Sequence, residues 1–143
     1  GREFGVKPVM EYLGFANEVN TIAVAIEIMK LCGDSDATTV IDPFHCFRGG
    51  GGIEDIAKLK PEQIAISHFN DAPSQPPRET QHDPNRVMPG EGVIDLKRYV
   101  KLLRETGYDR CISLELFRED LWQQDPEEVA KVGLEKMRQV VEG

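Results

Sequence analysis

The chain has 143 residues, with 17 Lys plus Arg against 25 Asp plus Glu, so its formal net charge is −8. That length supports one ordinary domain with a real core, and aliphatic residues spread along the whole chain exclude disorder. The acidic balance excludes a basic nucleic-acid-binding surface, and no stretch reaches the roughly 18 uninterrupted apolar residues of a membrane span.

The first residues, GREFGVKPV, show no basic-then-apolar leader and no initiator Met, so an upstream part is expected to be missing. Residues 6–15 (VKPVMEYLGF) begin as a short apolar strand. Residues 20–32 then read as a helix with its stripe at Ile22, Ala25, Ile28, Met29 and Cys32, capped by Asn20 and ended by Gly33. Residues 37–42 (ATTVID) predict a second strand, followed by a Gly-rich turn at 49–52 and a short helix over 53–59 that Pro61 closes. The third strand is 63–69 (QIAISHF), and a long polar loop covers 70–93. Asp95 caps a helix with apolar Leu96, Tyr99, Val100 and Leu103 that ends at Gly107. The fourth strand is 110–117 (RCISLELF). The last helix has Asp125 at its cap, Pro126 in its first turn, and a stripe of Ala130, Gly133, Leu134, Met137, Val140 and Val141.

Strand and helix thus alternate four times, which predicts an α/β fold with a parallel sheet covered by helices, in one domain over 1–143. Four strands leave open edges. A closed eightfold β/α barrel takes roughly 250 residues. The chain therefore reads either as half of a barrel, completed by missing residues or another copy, or as a small open sheet.

Cys32, Cys46 and Cys111 are an odd number with no C-x-x-C pair, which argues against a disulfide framework and a zinc ribbon. They fit a reducing cytoplasm, and each is expected to be a small buried hydrophobe.

The strands turn polar in phase. Val9 and Glu11 share one face of the first strand. Thr38, Val40 and Asp42 share one of the second, Ile64, Ile66 and His68 one of the third, and Cys111, Ser113 and Glu115 one of the fourth. Each set ends in a metal-capable side chain at the C-terminal end of its strand, where α/β enzymes place their sites. Three carboxylates gathered in one place repel one another unless a cation joins them. An oxygen-rich set with one nitrogen suits Mn²⁺ first, then Mg²⁺ or Co²⁺, with Zn²⁺ a further alternative. The set Glu11, Asp42, His68 and Glu115 is therefore the expected ligand set for one divalent ion. Asp71 is read either as a partner that orients His68 or as a turn carboxylate. His82 is read as solvated and the glycines at 49–52 as a mobile loop.

The segments MEYLGF, VIDPFHCFRGG, ISHFND, RVMPGEGVIDL and SLELF occur in this order. Together they resemble the C-terminal half of xylose isomerase-like TIM barrels, within the sugar phosphate isomerase/epimerase group and nearest its inosose dehydratase-like branch. The resemblance implies that the strands are the fifth to eighth of a barrel and that Glu11, Asp42, His68 and Glu115 hold the metal. It also implies that His45 and Arg86 contact substrate. The position six residues after Glu11, acidic in ketose 3-epimerases, is Asn17 here, which sets the chain apart from that branch.

The implied chemistry is proton abstraction next to a carbonyl of a sugar or polyol, by Glu11 or Glu115, through a metal-stabilised enediolate. Return of the proton gives an isomerase or epimerase. Loss of a hydroxyl gives a dehydratase or lyase, and a catalytically silent half-barrel is a third reading. The expected partners are a small sugar or polyol and either a second copy of the chain or the missing N-terminal half-barrel, with no nucleic acid and no membrane.

Overall fold

Three short parallel strands, β1 (Thr39–Ile41), β2 (Ile64–Phe69) and β3 (Ile112–Leu114), pair side by side in chain order. They come from a computed structural model that describes residues 1–143, the side chain of Arg2 excepted. The helices are α1 (Ile22–Cys32), α2 (Pro43–Gly49), α3 (Leu96–Thr106), α4 (Glu119–Trp122) and α5 (Pro126–Glu142). The expected layering of strands and helices holds, with differences that have local causes.

The first expected strand shrinks to a single parallel bridge between Met10 and Thr39. Met10 N–H donates to the Thr38 carbonyl at 3.1 Å, and its own carbonyl accepts from Val40 N–H at 2.9 Å. Two residues upstream Pro8 has no N–H to continue the ladder. The fourth expected strand likewise keeps only three paired residues.

Helix α1 starts one residue later than expected. Thr21, in extended conformation, accepts from Val24 N–H, while Asn20 donates instead to the Ala16 carbonyl. Gly33 ends the helix at φ 68°, a left-handed conformation that side chains resist.

Helix α2 fills the stretch between the second strand and the Gly-rich turn, where no element was expected. Asp42 caps it through Phe44 N–H and His45 N–H, Pro43 takes the first position, and Gly50 closes it at φ 73°. The stretch expected as a short helix over 53–59 is a tighter 3₁₀ turn, Ile53–Lys58. Asp95 and Gly107 bound α3, and Asp125 caps α5, as the sequence predicts.

The core lies between the sheet and α1 and α3. It includes Tyr12, Ile22, Ala25, Met29, Ile41, Ile56, Ile64, Phe69, Tyr99 and Leu103. The Tyr99 hydroxyl pairs with Ser67 Oγ at 2.7 Å and donates to the Ile41 carbonyl at 3.1 Å, so it ties α3 to both inner strands.

Helix α5 is less covered than its stripe predicts: Gly133 is its buried residue, Met137, Val140 and Val141 are half-buried, and Leu134 is 49% exposed. Cysteine burial also departs from expectation. Cys46 is buried against the Tyr12 hydroxyl, whereas Cys32 and Cys111 are exposed. No helix among the described residues is long and apolar enough to cross a membrane.

Candidate metal centre

The sheet register brings the polar strand ends to one rim. Ile41 pairs with Ser67, so Asp42, the next residue, comes level with His68. His68 pairs with Ser113, and two residues on Glu115 N–H donates to the Phe69 carbonyl. Met10 pairs with Thr39, which puts Glu11 beside Val40 on the Asp42 side of the sheet. The result is one cluster: Glu11, Asp42, His68 and Glu115 each offer a ligand atom, and these atoms all lie within 4.8 Å of one another.

Within the cluster His68 Nδ1 faces three carboxylates, at 2.9 Å from Glu115, 3.3 Å from Glu11 and 3.5 Å from Asp42. Burial works against its proton. The carboxylates of Asp42, Glu11 and Glu115 outweigh burial and push its pKa up to about 11. Burial also works against the Asp42 charge, but His68 and the Arg86 guanidinium hold that carboxyl down at about 2. Glu115 is lowered too: burial opposes its charge, and His68 and Arg86 prevail.

None of the three approaches to His68 Nδ1 has hydrogen-bond geometry, so this buried atom, like Glu11 Oε1, has no hydrogen-bond partner among the described residues. Buried polar atoms without partners are rare and call for an explanation. A shared divalent cation supplies one: four donors of the right kind converge, and two of their atoms make ion-pair approaches but no hydrogen bond among the described residues. The residues fit one divalent ion.

His45 and Arg86 lie against this cluster, both buried. Gly14 N–H donates to His45 Nδ1 at 3.2 Å, which leaves the imidazole proton on Nε2. Burial lowers the His45 pKa and keeps the ring neutral. Its Nε2 stands 3.1 Å from Arg86 Nη2, so two donors face each other. Arg86 also binds Glu115 Oε2 at 2.5 Å and pairs with Asp83 at 2.8 Å, and its guanidinium lies 5.1 Å from the ring centres of both Phe44 and Phe117.

Other candidates take different places. Asp71 does not orient His68: its two oxygens accept from the N–H groups of Ala72, Gly90, Gly92 and Ile94 and pin the turn before α3. His82 is exposed, as expected, and its ring lies 5.3 Å from that of Phe15. Two residues, one against the cluster and one against Arg86, were given no role in the sequence reading. Asn70 donates to both oxygens of Asp42, and its signal was its position two residues after His68, on the same strand face. Asp83 pairs with Arg86, and its signal was the D-x-x-R spacing between them.

A family model for xylose isomerase-like TIM barrels matches residues 1–140. An inosose isomerase of Halalkalibacterium halodurans is 34% identical over 141 residues, covering 98% of this chain and 50% of that protein. A 3-dehydroshikimate dehydratase of Pseudomonas aeruginosa is 27% identical over 116 residues, covering 80% of this chain and 18% of that protein. A crystal structure of the IolI protein with a bound zinc atom superposes with a TM-score of 0.88 at 31% identity, covering 97% of this chain and 50% of that one. The chain spans about half the length of the inosose isomerases it matches. On a parallel sheet with its acidic cluster at the strand ends, and with these matches along nearly all of its length, the chain belongs to the xylose isomerase-like TIM barrel family.

Proposed function

We propose that this chain carries the metal-and-proton-transfer half of a sugar or polyol isomerase. The observation that carries the reading is the convergence of Glu11, Asp42, His68 and Glu115 within 4.8 Å, with neutral His45 and Arg86 beside them. Those four residues would hold one divalent ion, and similarity to the zinc-bound IolI protein supports Zn²⁺ beside the Mn²⁺ that the donor set suggests. When bound, such an ion acts as a Lewis acid toward the negative charge that develops on a carbonyl oxygen.

The chain's own residues divide the remaining work. Glu115 is held by Arg86 at 2.5 Å, whereas Glu11 faces His68 at 3.3 Å and pairs with no arginine among the described residues. Glu11 therefore takes the proton next to the substrate carbonyl and can give it to the neighbouring carbon, while Glu115, once it has taken up a proton from solvent, delivers one from the opposite face. The facing donors of His45 Nε2 and Arg86 Nη2 receive a substrate oxygen that accepts from both. Similarity to inosose isomerases makes an inosose the first substrate to try. Similarity to a dehydratase supports the second reading, loss of water after the same proton abstraction.

The exposed apolar side chains of Phe117, Trp122, Val132 and Leu134 and the half-length match support a partner that completes the pocket wall. That partner is either an N-terminal half-barrel or a second copy of the chain.

The test is proton NMR of an inosose in D₂O with the Mn²⁺-loaded chain. The expected result is deuterium at the carbon beside the carbonyl together with an isomeric product. Glu11→Gln and Glu115→Gln should each slow exchange by about 10²–10⁴-fold, the usual contribution of a positioned acid or base. Water loss in place of the isomer selects the dehydratase reading. A folded, metal-loaded chain that exchanges nothing overturns the catalytic reading in favour of a silent half-barrel.

A further inference from the structure

Asn70 is fully buried at the end of β2, next to the cluster but outside the four residues proposed as ligands. Its amide has only one orientation. Oδ1 accepts from Phe44 N–H at 3.0 Å, so Nδ2 must face the other way. There it donates to Asp42 Oδ1 at 3.2 Å, to Asp42 Oδ2 at 3.1 Å and to the Glu115 carbonyl at 3.4 Å.

Asp42 thereby has an unequal pair of oxygens. Oδ1 is taken up by the start of α2, accepting from Phe44 N–H at 2.7 Å and His45 N–H at 3.2 Å. Oδ2 is turned to His68 at 3.5 Å and Arg86 at 3.4 Å, on the cluster side. A carboxylate held only by the cap bonds could still turn about its Cβ–Cγ bond. Donation by one amide to both oxygens at once fixes its plane. The same amide reaches the backbone of Glu115 on the far side of β2, so one side chain references two members of the cluster that come from different strands.

We infer that Asn70 is a positioning residue that makes Asp42 present Oδ2 alone to a divalent ion and sets the Asp42–Glu115 spacing. This rests on the metal-site reading above, and the structural alternative is that Asn70 only supports the start of α2.

The probe is Co²⁺ added to the metal-free chain, followed by its visible d–d absorption, which reports coordination number, alongside thermal melts without metal. The wild-type chain is expected to bind one Co²⁺ and Asp42→Asn to lose it. If wild type does not bind, or Asp42→Asn binds equally well, the metal-site reading itself falls and the inference falls with it. If those controls hold, Asn70→Ala is expected to weaken Co²⁺ binding about 10- to 100-fold, as loss of a residue that orients a ligand does. The absorption bands should shift as Asp42 turns to offer both oxygens. An Asn70→Ala chain that melts lower but binds Co²⁺ with wild-type affinity and spectrum overturns the inference and leaves a purely structural role. Should Asn70→Ala fail to fold, Asn70→Ser leaves room for water at Phe44 N–H and carries the same expectation. If neither variant folds, the structural role wins.

Discussion

The two inner members of the cluster differ from the two outer ones. Asp42 and His68 follow from β1 and β2, and their side chains are 1% and 14% accessible. Glu11 and Glu115 come from the margins, a one-residue bridge and the end of a three-residue strand, and are 32% and 29% accessible. All three residues of β1 are buried, while all three of β3 are only half-buried. The core thus presets one half of the site, and the other half rests on thin margins. An ion held by all four would tie the margins to the centre.

The largest expected effect separates an inner from an outer member. Asp42→Ala removes the α2 cap, worth about 1–2 kcal/mol. It also takes from buried Arg86 one of its three carboxylates and from Asn70 its carboxylate acceptor, a further loss of about 1–3 kcal/mol. The melting temperature should fall even without metal, and metal binding should vanish. Glu11→Gln should cost the metal-free fold no more than about 1 kcal/mol, as loss of one partly exposed ion-pair partner does, while weakening metal binding. Thermal melts and titration calorimetry of both variants check this. Equal losses in the metal-free melt would erase the distinction.

A smaller effect appears in the pH dependence. An unfolded His titrates near about 6.5 and an unfolded Asp near about 3.9. His68 is raised to about 11, so its stabilisation is whole below the unfolded value and is lost as pH climbs toward 11. Asp42 is depressed to about 2, so its stabilisation is present above the unfolded value and is lost as pH falls through 2. Without metal, these two groups favour the folded chain most between about pH 4 and 6.5. A divalent ion takes the place of the His68 proton, so its affinity should rise about tenfold per pH unit between 6 and 8. Mn²⁺ titrations at three pH values measure that slope. A flat profile would mean that His68 is not a ligand.

How much of this was legible in the sequence follows the same division. Period-two alternation is a local signal, and it put Glu11, Asp42, His68 and Glu115 on the correct side of their strands. Strand length is set by neighbours and was overestimated at both margins, where only a one-residue bridge beyond Pro8 and a three-residue β3 form. Helix α2 was not foreseen because Asp42 had been allotted to the strand alone. The Asp-Pro pair at 42–43 is the same start signal that was read correctly at 125–126. Asp42 plays both parts, as cap and cluster member, and periodicity cannot express two roles for one residue. Leu134 fits the α5 stripe, yet the described residues leave it exposed, because a stripe shows which face is apolar and not what covers it.

The smallest effect tests how loose the margin is. A Cβ added at Gly133 of α5 would meet Leu114 Cδ2 of β3 at 2.5 Å, and its next neighbour is another Leu114 atom at 3.9 Å. The obstacle is the tip of one half-buried side chain, which can turn to another rotamer. Near the cluster, by contrast, a Cβ at Gly14 would meet the His45 carbonyl at 2.6 Å and Gly49 N at 2.7 Å, and backbone cannot step aside. Alanine in place of glycine within a helix gains about 0.5–1 kcal/mol. With a yielding Leu114 most of that gain should survive, so Gly133→Ala should raise the thermal midpoint slightly and leave metal affinity unchanged. A fall in the midpoint would mean that Leu114 is as fixed as the backbone around Gly14. The β3–α5 margin would then be as rigid as the centre, and the accessibility of Glu115 would have to be explained by something other than looseness.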